Sequence, residues 1–172
     1  MYVIKPKDGN YSFPVYCDQT TAIGAWIVIQ KRFDGSVRFS NRTWVEYQNG
    51  FGNLTGEFWL GLDKIHLLTK TPVRIRFDLG APDGTNRFAA YQGFTIAGAD
   101  QKYKLTSGKY IGNDIVNSHL QRLLGSAKIT LLLSFHHGTC PTVFGLLACL
   151  LLIHFFWLSV CLRVSAHISL FV

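Results

Sequence analysis

The chain of 172 residues predicts an α+β domain: a twisted antiparallel sheet with short helices, followed by an apolar C-terminal tail. Three observations carry that expectation. Val73, Ile75, Phe77 and Leu79 alternate with Arg74, Arg76 and Asp78, the period of a strand with one buried and one wet face. Short apolar runs punctuated by glycine surround this strand, and two brief helical patterns lie between them. The composition then changes sharply. Apolar residues make up less than half of positions 1–128, as in an ordinary soluble domain, but close to two-thirds of positions 129–172. A single solvated fold does not change solvent preference so abruptly, so a uniform fold over the whole chain, a disordered chain and a coiled coil are excluded.

The elements follow in order. Phe13 to Asp18 reads as a strand, and Ala25 to Phe33 as a stronger one because it carries Trp26, Val28 and the β-branched Ile27 and Ile29. Asp34-Gly35 is a hairpin-type turn leading into a strand at Val37-Arg38-Phe39. Asn41 can cap a short helix that runs to Asn49 and stops at Gly50. Gly56 to Gly61 is a compact apolar strand. Asp63 starts a second short helix with Ile65 and Leu68 for packing, and Pro72 prevents its continuation. Val73 to Leu79 follows. Ala81-Pro82-Asp83-Gly84 turns the chain, and Arg87 to Ala97 returns beside it. Tyr103 to Leu105 is a last strand of the same antiparallel set.

Charge and chemistry narrow the function. The chain carries a formal charge of +7, and all ten acids lie at or before Asp114. Its bases are scattered as Lys31 and Arg32, Arg74 and Arg76, Arg87, Lys102 and Lys104, without the single stripe and interleaved aromatics of a nucleic-acid face. Nucleic acid is therefore not an expected partner. No Ser-His-Asp or Cys-His spacing suggests an enzyme, so no catalytic and no cofactor-binding residue is assigned. Asp83-Gly84-Thr85-Asn86 has too few oxygen ligands for calcium. His136, His137 and Cys140 lack a fourth ligand, so no metal site is assigned. His66 reads as a structural histidine. Cys17 is the only cysteine ahead of the apolar tail, either a buried thiol or half of a disulfide whose partner lies outside this chain. Sequons at Asn10, Asn41 and Asn53 offer N-glycosylation if the chain is secreted. The segment Met1 to Asp8 has no apolar core and is not a signal peptide.

Taken together, these residues resemble a known family. Trp26-Ile27-Val28-Ile29-Gln30-Lys31-Arg32-Phe33-Asp34-Gly35-Ser36-Val37 is similar to the signature strand and turn of fibrinogen C-terminal (fibrinogen-related) domains. The likeness continues through Arg42-Thr43-Trp44, Tyr47, Gly50-Phe51-Gly52 and Gly56-Glu57-Phe58-Trp59-Leu60-Gly61-Leu62. It also takes in Ile65-His66, Phe77-Asp78-Leu79, Tyr91 with Phe94, and Gly108-Lys109-Tyr110-Ile111-Gly112-Asn113. It spans roughly residues 1–120, the N-terminal two-thirds of such a domain. In physical terms Trp26, Trp44, Phe51, Phe58 and Trp59 supply large core area to a small sheet domain.

The resemblance implies an extracellular, secreted glycoprotein module. Its expected work is lectin-like binding of glycans or acetylated groups, with the alternative of a receptor ligand or matrix protein acting through protein contacts. It further implies that Cys17 pairs with a cysteine upstream of Met1, that Tyr2-Val3-Ile4 is an interior strand, and that oligomerisation comes from regions outside this chain. Calcium is implied for a complete family member, but no position here matches the calcium loop or the ligand pocket, and both are expected to be missing from the chain.

Residues 121–172 are expected to stand apart. Ile129 to Leu162 contains no Asp, Glu, Lys or Arg. Within it, Val143 to Leu162 reaches the length of about 20 residues that a membrane-spanning helix needs. Two expectations follow for this segment: a transmembrane helix over 143–162 in a membrane-anchored fragment, or a non-native read-through that replaces the last third of the domain. Either leaves a truncated core with apolar sheet surface open to solvent.

Overall fold

The computed structural model describes residues 1–21, 24–80, 84, 86–111 and 165–171. They form strands β1 (Tyr2–Ile4), β2 (Phe13–Asp18) and β3 (Trp26–Arg32), helix α1 (Trp44–Asn49), strands β4 (Phe51–Gly52) and β5 (Phe58–Trp59), and helix α2 (Leu62–Leu68). Strands β6 (Val73–Gly80), β7 (Asn86–Ile96), β8 (Leu105–Thr106) and β9 (Ser165–Phe171) complete the set, with a 3-10 turn at Ala99–Gln101 before β8. The sheet runs β1-β2-β3-β9-β6-β7-β8, and β5 pairs with β3 and with β4. All pairings are antiparallel. The α+β expectation is what the chain forms.

Local rules explain most boundaries. Helix α1 begins at a capping box: the Thr43 hydroxyl accepts the N–H of Glu46 while the Glu46 carboxylate accepts the N–H of Thr43 at 2.7 Å. Thr43, not Asn41, is therefore the cap. The helix stops at Gly50, whose φ of 92° and close approach to the backbone of Leu60 leave no room for a Cβ. Helix α2 buries Leu62, Ile65 and Leu68 and ends well before Pro72.

Three strand expectations differ from the structure, and the one over Gly56 to Gly61 narrows to Phe58–Trp59. Val37–Phe39 is not a strand, because β3 spends that edge at Gln30 and Lys31 on β5 instead. The intervening loop is held by Glu57 rather than by a ladder. Tyr103 likewise stays out of β8, since Lys102 and Tyr103 both take φ of 52° and turn the chain.

The far end of the chain is the larger finding. Ser165–Phe171 lies between β3 and β6 and pairs along both, from Trp26↔Phe171 to Arg32↔Ala166 and from Arg74↔Phe171 to Gly80↔Ser165. The slot that a truncated sheet would expose there is filled. Hydropathy alone concealed this strand. Ile168 and Leu170 alternate with His167 and Ser169, so β9 can offer two apolar residues to the core, and Leu170 is 0% exposed. Burying each is worth about 1.5–3 kcal/mol. One core then gathers Phe13, Val15, Val28, Phe58, Ile65, Ile75, Tyr91, Phe94, Ile168 and Leu170 from both halves of the sheet. Of the expected aromatic core, Trp26, Phe58 and Trp59 are buried, while Trp44 and Phe51 are half-buried against it.

The expected boundary at residue 120 and the expected membrane helix over 143–162 both lie outside the described residues. Among the described residues no helix is long and apolar enough to cross a membrane.

Candidate functional site

A surface groove of about 750 Å³ opens beside the β9 end of the sheet. One wall is the segment Ile4–Asp8 that follows β1, and the other is the passage from α2 into β6, Leu67 to Arg74. Ile27, Val73, Trp26 and Phe171 contribute its apolar lining. Trp26 meets Phe171 edge to face at 5.4 Å between ring centroids, and its buried indole N–H has no acceptor among the described residues. The volume lies within the range of small-ligand sites.

Cys17 lines this groove. It is half-buried, burial pushes its thiol pKa up, and it forms no disulfide among the described residues. A raised pKa holds the sulfur as thiol and disfavours nucleophilic chemistry. The disulfide implied for Cys17 is not made among the described residues. Cys140, Cys149 and Cys161, with His136 and His137, lie outside the described residues.

The sequons are spread over the surface rather than gathered. Asn10, Asn41 and Asn53 are all exposed. Asn53 sits at the tip of the β4–β5 hairpin, where its Oδ1 accepts the N–H of Thr55 at 3.0 Å and the Thr55 hydroxyl at 2.8 Å. Asn41 precedes the capping box, so the hydroxyl of its sequon Thr43 is already committed to Glu46. None of the three lines the groove.

Two polar constellations are scaffold. Glu57 is 1% exposed, and its Oε1 accepts the N–H groups of Phe33 at 2.6 Å, Asp34 at 3.0 Å and Gly35 at 2.9 Å. Its Oε2 takes Val37 at 3.0 Å, and Arg32 Nε lies 3.9 Å away. Burial alone would raise this carboxyl, but the four backbone donors outweigh it and hold the pKa below its ordinary value. A lone acid inside the apolar run Gly56 to Gly61 is the sequence signal that marks it. In the second constellation the Tyr103 hydroxyl donates to Asp63 and accepts from Gln48 Nε2 at 3.1 Å. Burial and that hydrogen bond push Tyr103 up to about 12.

His66 is structural as expected. Its Nδ1 lies 2.8 Å from the carbonyl oxygen of Ile96, which can only accept, so that nitrogen carries the proton. Asp83 and Thr85 of the Asp83–Asn86 turn lie outside the described residues. Among the described residues no three His, Cys, Asp or Glu side chains come together. These residues therefore do not fit the calcium ion that the resemblance implies, and no chemistry is routed through one.

With this geometry in place, the chain can be set beside known proteins. Residues 1–139 match the family model for the C-terminal globular domain of fibrinogen beta and gamma chains. Fibroleukin of Homo sapiens is 50% identical over 112 residues, which cover 64% of this chain and 25% of fibroleukin. Ryncolin-4 of Cerberus rynchops is 43% identical over 118 residues, covering 68% of this chain and 34% of that protein. The chain thus spans about a quarter to a third of these relatives. Among solved structures, the fibrinogen-like globe domain of human ANGPTL2 aligns with a TM-score of 0.62 and 41% identity, over 65% of this chain and 52% of that one. A lamprey fibrin D-dimer complexed with the peptide ligand Gly-His-Arg-Pro-amide aligns with a TM-score of 0.61 and 42% identity, over 65% of this chain and 36% of that one.

Proposed function

The chain belongs to the family of fibrinogen C-terminal globular domains, and on that premise we propose that its protein acts in extracellular recognition, by lectin-like binding of glycans or acetylated groups. The family is one of binding modules without enzymatic chemistry, and the single observation that carries the reading is the match over residues 1–139. The physical character of the surface agrees with it. The polar constellations at Glu57 and Tyr103 are committed to holding loops and belong to the scaffold. Exposed sequons at Asn10, Asn41 and Asn53 suit a glycoprotein made in the secretory pathway.

A second reading, a receptor ligand or matrix protein acting through protein contacts, is favoured by one observation. The aligned lamprey fibrin D-dimer is complexed with a peptide ligand.

The experiment passes the full-length protein over N-acetylglucosamine resin in calcium buffer. Retention that free N-acetylglucosamine reverses supports the lectin reading. Retention by a cell-surface or matrix protein that ignores the free sugar supports the second. Passage without delay over the sugar resin overturns the first.

A further inference from the structure

The groove beside β9 has an electrostatic character that the recognition reading does not use. Its charged lining consists of Lys5, Lys7, Lys70 and Arg74 against the single acid Asp8. All five are exposed. The Lys70 ammonium donates to the backbone carbonyl of Asp8 at 3.3 Å, and the Arg74 guanidinium stacks over the Phe171 ring at 5.3 Å. None of the four cations makes an ion pair with a described residue. Elsewhere several described cations find acids close by: Arg42 has Glu46, Arg76 has Asp78, and Arg32 has Glu57. Among the described residues the groove therefore gathers unpaired positive charge beside an apolar lining.

Such a site favours a ligand that presents both characters at short spacing. Four cations facing one acid give the rim a positive field, which attracts an anion and is only partly screened at physiological salt. Ile27, Val73 and Phe171 give the lining apolar area whose burial a purely ionic ligand would waste. An extended peptide puts successive side chains on opposite sides, so alternating acidic and apolar residues can meet rim and apolar lining together. We infer that this groove is a docking site for a short acidic segment of a partner protein, with alternating Asp or Glu and large apolar residues. The site is separate from the sugar-binding reading, needs no calcium, and shares no residue with the sequons or the Glu57 loop.

The test is fluorescence anisotropy of the full chain with a labelled pentapeptide that alternates Asp or Glu with Phe and Leu. The isosteric Asn/Gln peptide serves as control. The acidic peptide is expected to bind at least about tenfold more tightly than its neutral isostere, and to weaken as NaCl rises from about 0.05 to about 0.5 M. Charge reversal at the rim, Lys5→Glu with Arg74→Glu, should weaken it about tenfold or more. The matched pair Arg38→Glu with Lys102→Glu, exposed and outside the groove lining, should leave it within about twofold. Equal affinity for both peptides would overturn the site, as would equal loss in the two reversed variants. The salt series on the unaltered chain keeps the test decisive if a variant fails to fold. In the full-length protein the rim reversal is expected to leave retention on the sugar resin unchanged, so this site and the lectin reading fail independently.

Discussion

The carboxylate of Glu57 reaches the backbone N–H of Val37 at 3.0 Å across twenty positions of sequence. Its other oxygen gathers Phe33, Asp34 and Gly35. One buried side chain thus replaces the hairpin ladder that Asp34-Gly35 suggests, and fixes the loop that leads from β3 to α1.

Replacing it should be costly. Glu57→Gln keeps the shape but exchanges a charged acceptor of four N–H groups for a neutral amide, whose own NH2 faces donors. A loss of about 2–4 kcal/mol is expected from urea unfolding. The pH dependence has a definite sign. The folded pKa of Glu57 lies below its ordinary value of 4.5, so its stabilisation is present above that pH and fades as pH falls through the lower folded value. Glu57→Gln should flatten that acid limb. An unchanged limb would place the acid sensitivity elsewhere.

Glycine positions separate strain from mere flexibility. Gly50 and Gly35 both have positive φ, of 92° and 75°. A Cβ at Gly50 would run into the carbonyl of Leu60, whereas at Gly35 it meets nothing within 4 Å. Gly35→Ala should cost about 1 kcal/mol, the backbone penalty alone, and Gly50→Ala clearly more. Thermal unfolding of the two variants gives the order directly, and equal losses would refute the close approach at Gly50.

Tyr103→Phe removes the hydroxyl shared by Asp63 and Gln48 and leaves Trp44 packed at 5.8 Å against the ring. A loss of about 1–3 kcal/mol is expected from denaturant titration. Because the folded pKa is raised to about 12 from 10.0, the contribution is complete below pH 10.0 and is lost as pH climbs toward 12. The Phe variant should lack that alkaline limb.

The sequon at Asn41 overlaps the cap of α1, and the two roles can be separated. Thr43→Ala removes both sequon and capping box, and should cost about 1 kcal/mol. Asn41→Gln removes the sequon alone and should leave stability within about 0.5 kcal/mol in unglycosylated protein. In secretory expression, both variants are expected to lose one glycan that an endoglycosidase would otherwise release. A mass identical to that of the unaltered protein would exclude Asn41 as an acceptor.

How much of this was legible depended on the kind of signal. Strands β2, β3, β6 and β7 announce themselves by β-branched runs or period-two alternation, and their observed bounds fall within one residue or so of the reading. The capping box was also in plain view as Thr43 followed three residues later by Glu46, but a sequon-like Asn41 two positions earlier competed for the same role. Glu57 could be noticed as an acid in an apolar run. Its partners could not, because a carboxylate caging a loop some twenty positions upstream leaves no local periodicity. Tyr103 looked like a strand residue because φ of 52° at a non-glycine is a tertiary imposition. The groove is likewise invisible in sequence, being assembled from Lys5, Lys70, Arg74 and Phe171, which only the topology brings together. Strand β9 is hidden for a different reason: the short alternation from Ser165 to Phe171 follows a long apolar run in the sequence, and a hydropathy window averages the two together.

The central claim is that the chain closes its own sheet with Ser165–Phe171 between β3 and β6. Native-state hydrogen exchange measures it most directly. The amides of Ile168 and Leu170 are expected to exchange as slowly as those of Val28 and Ile75, and Leu170→Ala to speed all of them while costing about 2–5 kcal/mol. Free exchange of Ile168 and Leu170 beside a protected β3 would contradict the claim.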